Sequence, residues 1–114
     1  MDIYKDEGVS VSLPSSVVRI DYSAFRNLNI INIGLSSVVE VRDYSFSNTN
    51  IDMLQSNSME IIGDYAFENT KIKELSLANI DIIGNSAFSN VDTMYSAYLY
   101  NVSVIGDYAF ENCK

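Results

Sequence analysis

Apolar residues recur along this chain in blocks about 21 residues apart, and the blocks superpose column by column. All five phenylalanines, Phe25, Phe46, Phe67, Phe88 and Phe110, fall in one column, at spacings of 21, 21, 21 and 22. Two residues after each stands an asparagine: Asn27, Asn48, Asn69, Asn90 and Asn112. Five residues before each stands Ile20, Val41, Ile62, Ile83 or Ile105, and eight before stands Val17, Val38, Met59, Ile80 or Val102. A second apolar set follows each phenylalanine, as in Ile72, Leu75 and Leu77. In the second unit Ser56 breaks that set, and in the fourth a one-residue insertion shifts it to Met94, Ala97 and Leu99. Alternation in "IKELSL", Ile72–Leu77, predicts a short strand, and "MEIIG", Met59–Gly63, predicts a second extended piece.

Between the second extended piece and the next strand lies a repeated phrase, "GDYAFEN" in the third and fifth units. Its residues predict one helical turn. Gly63 and Gly106 suit a bend at positive φ, Asp64, Asn85 and Asp107 suit an N-terminal cap, and the asparagine suits a left-handed stop. A unit this short cannot bury its own apolar face, but a stack of them can. The expected architecture is therefore a single solenoid domain over 1–114, with parallel strands about 4.8 Å apart. Residues 1–8 read as an N-terminal cap and 9–114 as about five repeats. The C-terminal end reads as truncated and open, an edge through which the chain could self-associate. Phenylalanines and asparagines are each expected to form a ladder through the interior.

Composition narrows the function. A formal charge of -8 repels phosphate backbones and anionic headgroups, so nucleic acid is a poor partner. No apolar run is long enough for membrane insertion, and "MDIYKDEGVS" lacks the apolar core of a signal peptide, so the chain assigns no compartment. With no histidine and one cysteine, there is no internal disulfide and no Cys/His metal site, and the commonest general base is missing. These absences argue against an enzyme, and no cofactor or metal is expected. Cys113 falls in an interior column, which favours a buried side chain over a reactive thiol. Asn101-Val102-Ser103 is a glycosylation triplet that matters only in a secretory compartment.

"LPSSV", Leu13–Val17, followed by "IDYSAF", Ile20–Phe25, resembles the BspA-type leucine-rich repeat, whose unit reads approximately "L..I.IP.SV..IG..AF..C..L". "VIGDYAFENC", Val104–Cys113, is similar to it throughout. Departures are local: Pro14 is the one proline, and the corner glycine is replaced by Asp21 and Arg42. The resemblance implies a right-handed α/β-type superhelix, mostly β. It also implies a non-enzymatic recognition module of the kind found in surface proteins of bacteria and protists, linked to adhesion.

Residues that interrupt the apolar columns on a strand face outward and form the usual binding face of a solenoid. In this chain they are Asn32, Met53, Gln55, Glu74, Ser76, Tyr95, Ser96 and Tyr98. Tyrosine is enriched at interfaces, where it offers contact area and a hydroxyl, but it also simply suits strands. The composition fits a protein-binding module or a structural spacer of a longer array with no ligand of its own.

Overall fold

The computed structural model describes residues 8–113. Alternating burial along short segments produces ten strands: β1 Val9–Val11, β2 Arg19–Ile20, β3 Ile30–Ile33, β4 Glu40–Val41, β5 Met53–Ser56, β6 Ile61–Ile62, β7 Glu74–Leu77, β8 Ile82–Ile83, β9 Ser96–Leu99 and β10 Val104–Ile105. All pairings are parallel. β2, β4, β6, β8 and β10 form one five-stranded sheet, β5, β7 and β9 a second sheet, and β1 and β3 a third. Each phenylalanine marks one turn of the solenoid, here called a coil and numbered one to five. The insertion before Met94 is absorbed by a turn at Asp92–Thr93. After it, Leu75 pairs with Ala97 and Leu77 with Leu99, as the shifted columns require.

The core is the sum of the columns. Val38, Val41, Phe46, Met59, Ile62, Phe67, Ile72, Leu77, Ile80, Ile83 and Phe88 have no exposed surface. The five phenylalanine rings stack in one continuous series, with centroids 5.3, 5.1, 5.4 and 5.3 Å apart. Removing such rings from water is the largest single stabilising contribution per coil, on the order of 2–3 kcal/mol each. The asparagine ladder is also present but lies on the outside. Asn48 Nδ2 donates to Asn27 Oδ1 at 2.8 Å, Asn69 to Asn48 at 2.6 Å and Asn112 to Asn90 at 2.8 Å, all with exposed side chains. A carboxamide can pair with its copy above and below and still be hydrated, so it has no need of the interior that the phenyl ring requires.

The expected helical turn does not form. Among the described residues there is no helix; the repeated phrase is a run of tight turns. The amides split into two sets. In coil three, Ala66 and Glu68 donate back to the carbonyls of Gly63 and Tyr65, three residues earlier. Tyr65, Phe67 and Asn69 donate instead to Asn85, Ala87 and Ser89 of the next coil, at 3.0, 2.8 and 2.9 Å. An α-helix would turn every amide toward its own carbonyl four residues back, which would leave the neighbouring coil unpaired. The stack wins because these groups are buried between coils.

This arrangement needs two left-handed residues per corner. The asparagines supply one, with φ of 57–64°. The other is Ser23, Tyr44, Tyr65, Ser86 or Tyr108, two residues before the phenylalanine, with φ of 55–61°. Tyrosine is an unusual choice there, since a bulky side chain resists positive φ. In coils two and three the rings offset part of that cost by stacking on each other, Tyr44 on Tyr65 at 4.9 Å, and Arg26 lies over Tyr44 at 4.5 Å.

The glycines do a different task from the one their sequence position suggests. None has positive φ. Gly84 is glycine because a Cβ there would lie 2.5 Å from Asp64 Oδ1 and 2.7 Å from Asp64 N of the preceding coil. Gly63 meets Asp43, and Gly106 meets Asn85, in the same way. Nor do the acidic residues cap their own turn. Asp43 Oδ1 accepts from the amide of Asp64, Asp64 Oδ1 from that of Asn85, and Asn85 Oδ1 from that of Asp107, each at 2.8 Å. The side chain reaches across to the next coil, and the glycine there leaves it room.

Of the N-terminal cap expected over residues 1–8, all but Gly8 lies outside the described residues. β1 continues the series, pairing in parallel with β3 as Val11 with Ile33.

Candidate interaction surface

The β5–β7–β9 sheet turns one side to the core and the other to solvent. On β5, Leu54 and Ser56 point inward while Met53 and Gln55 are exposed; on β7, Leu75 and Leu77 point inward. Register then builds two outward rows, Met53–Glu74–Ser96 and Gln55–Ser76–Tyr98. Tyr95, just before β9, joins them: its hydroxyl donates to Glu74 Oε1 at 3.0 Å. That bond holds the Tyr95 phenol above its ordinary pKa, because the neighbouring carboxylate opposes a second negative charge. Six of the eight expected face residues therefore lie on one sheet, with Tyr95 beside it. Asn32 is exposed too, but it sits on β3, whose sheet is separate.

Ser56 ends β5. In its column Leu35, Leu77 and Leu99 are leucines, whereas the Ser56 hydroxyl accepts from the amides of Ser58 and Met59 at 3.1 and 3.0 Å. Ser36, Gln55, Ser56 and Asn57 line a shallow cleft of roughly 250 Å³ there. Its lining residues include no ionisable group and no apolar side chain, so it lacks the features of a small-molecule site.

Three exposed tyrosines cluster on this side. Tyr95 is 69% exposed, Tyr98 59% and Tyr100 56%, and Met53 adds 55%. Rings held by a sheet and left in solvent offer rigid contact area at small entropic cost. Glu74 gives the patch its charge, with Asp52 and Lys73 exposed beside it.

A second outward row was not anticipated. On the five-stranded sheet, Arg19, Glu40, Ile61, Ile82 and Val104 are in register, and the last three are 37%, 37% and 52% exposed. The signal was available: this column alternates with the interior column ending in Ile105, and its first two members are charged. At the charged end, Arg19 Nε donates to Glu40 Oε1 at 3.0 Å, and this bond holds the Glu40 carboxyl below the usual carboxylate range. Cys113 is half-buried; its thiol donates to the Phe88 carbonyl at 3.2 Å and burial pushes its pKa up, as suits a packing residue. Asn101 is exposed, with φ of 64°. Among the described residues no cluster of three potential metal-ligating side chains occurs.

The model of one family, the BspA type Leucine rich repeat region, matches residues 4–114 in six copies. That is one copy more than the five phenylalanine-marked coils. No curated protein and no solved structure matches the chain.

Proposed function

The chain belongs to the BspA-type leucine-rich repeat family, and from that premise we propose that it is a non-enzymatic protein-binding module working through the outer face of the β5–β7–β9 sheet. Repeat solenoids of this family are protein-interaction modules in general. The observation that carries the finer reading is the group of three exposed tyrosines on and beside β9, with Met53 and Glu74 in the same rows. Each tyrosine ring faces solvent instead of a column of the core. Tyr95 and Tyr98 are the contact anchors of this reading. Gln55, Ser76 and Ser96 surround them with hydrogen-bonding groups, and Glu74 orients Tyr95. Adhesion to another cell or to matrix protein is the use such an open face suits best, since it has area but no enclosure for chemistry.

The test pairs two variants. Tyr95→Ser with Tyr98→Ser removes the anchors and touches no core column. Ile61→Ser with Ile82→Ser alters the opposite sheet by the same number of changes. Captured protein from host-cell and matrix extracts is compared at matched thermal midpoints. Loss of a bound band with the first pair only supports the reading. Equal retention by both pairs contradicts it and favours the spacer role.

A further inference from the structure

The residue two before each phenylalanine forms a column of its own along the corner: Ser23, Tyr44, Tyr65, Ser86 and Tyr108, all left-handed with φ of 55–61°. Equal backbone conformation sets their Cα–Cβ bonds parallel. The column is therefore an aromatic ladder with two rungs missing, at Ser23 and Ser86. Where two tyrosines are adjacent they stack, Tyr44 on Tyr65 at 4.9 Å with 4° between the ring planes. A second column, one residue after each phenylalanine, reads Arg26, Ser47, Glu68, Ser89 and Glu111. Its side chains reach their counterparts in neighbouring coils, as Ser47 Oγ donates to Glu68 Oε1 at 3.2 Å.

The molecule shows what fills a missing rung. Tyr65 covers one face of Tyr44; on the other face, where Ser23 supplies no ring, lies the Arg26 guanidinium, 4.5 Å from the Tyr44 centroid. The first gap is thus closed by a planar cation from the second column. The second gap has no such cover. At the level of coil four both columns carry serine, Ser86 and Ser89, and both are buried. Among the described residues Tyr65 has a ring on its Tyr44 side alone, and Tyr108, 69% exposed, stacks on none. The phenylalanine rungs of coils three, four and five are 5.4 and 5.3 Å apart. Tyrosines two coils apart therefore leave about 10 Å between ring planes, room for one planar group stacked on both. Walls and floor all lie in coils three to five, so nothing beyond coil five enters the slot.

We propose that the gap over Ser86 is a binding slot for an arginine side chain of a basic partner protein, its guanidinium held flat between Tyr65 and Tyr108. Charge selects this occupant. In the second column Glu68 and Glu111 stand on either side of Ser89, one carboxylate at each wall of the gap. Lys71 and Lys73 are the only basic residues between Met59 and Cys113, and both lie ahead of β7, away from the corner phrase. The chain as a whole carries a formal charge of -8. A neutral ring would use the tyrosine faces alone, and an ammonium has no flat face to stack. A guanidinium uses the rings and the carboxylates together, as Arg26 already uses Tyr44. The slot lies outside the β5–β7–β9 sheet and does not rest on that face being a binding surface.

The probe is N-acetyl-arginine amide, titrated into the full chain while tyrosine ring protons are followed by NMR. Saturable shifts are expected at Tyr65 and Tyr108. N-acetyl-lysine amide, of equal charge but without a plane, is expected to bind at least about threefold more weakly. Ser86→Tyr supplies the missing rung with the residue this column already holds in three coils, and should abolish the shifts. Tyr108→Ser removes one exposed wall, and the affinity read at Tyr65 should fall at least about threefold. Tyr95→Ser with Tyr98→Ser should leave probe binding unchanged, which separates this slot from the β5–β7–β9 face. Absence of a saturable shift in the unaltered chain overturns the proposal. So do equal binding of the two cations, tighter binding of N-acetyl-tyrosine amide than of the arginine probe, or undiminished binding by folded Ser86→Tyr or Tyr108→Ser.

Discussion

The corner around each phenylalanine and the outer face of the β5–β7–β9 sheet share one period, yet they obey opposite rules. At the corner every coil repeats the same pair of left-handed positions, and coils one to four repeat the same amide pattern. On the face, the residues paired across one row are Met53, Glu74 and Ser96, with nothing in common but their outward position. The difference follows from what each residue touches. A corner residue contacts its own copies above and below, so a change in one coil is felt by two. A face residue contacts solvent, so each coil can vary freely. Repetition is therefore the mark of structure here, and variation within the repeat is where recognition can be written.

The contrast can be broken most severely at Phe67, which has fully buried copies on both sides. Phe67→Ala is expected to cost about 3–5 kcal/mol in a denaturant titration. By comparison, Tyr98→Ser on the face is expected to change stability by less than about 0.5 kcal/mol. Next comes Gly84→Ala. It adds one methyl group where Gly63 C and Asp64 N already stand 2.6 and 2.7 Å from the new atom. A loss of about 1–3 kcal/mol is expected, although alanine would normally favour the folded chain by restricting the unfolded one. A stability gain in the same titration would show that the glycine serves as a flexible bend after all.

The smallest effect sharpens the face. Tyr95 should titrate above the ordinary phenol value when phenolate absorbance is followed, because its hydroxyl donates to Glu74. Its folded pKa is raised, so whatever this bond contributes to stability is present below the unfolded value, near 10, and is lost as pH rises through the folded value. Glu74→Gln should return Tyr95 toward the ordinary phenol value while leaving the thermal midpoint at neutral pH nearly unchanged.

Much of this was legible in the residues, and the failures are informative. The phenylalanine column, the parallel strands and the register shift at Met94 could all be read from spacing, because burial leaves a period that polarity displays directly. The corner geometry could not. "GDYAFEN" has the composition of a capped helical turn, and only the competing bonds to the next coil, invisible in one repeat, convert it to linked tight turns. The left-handed tyrosines were missed for a related reason. Tyr65 has no intrinsic preference for positive φ; the conformation is imposed by the alternation of amides between coils. Gly63 and Gly106 were misassigned because a glycine needed for space and one needed for φ look the same in a sequence. The face was legible as a set of outward positions. That the sheet stops between β3 and β5, and so separates Asn32 from the rest, is a matter of strand pairing that the outward residues do not display.

The central claim is that the corner amides belong to the stack and not to their own turn. Residue-resolved hydrogen exchange compares identical positions in an interior coil and in the last one. Phe67, Tyr65 and Asn69 donate to coil four, whereas Phe110, Tyr108 and Asn112 have no described coil beyond them. The first three should be protected to near the global unfolding limit, and the last three should exchange orders of magnitude faster on the same chain. Equal protection of Phe67 and Phe110 would mean that each corner closes its own hydrogen bonds, and the stacked-coil account would be wrong.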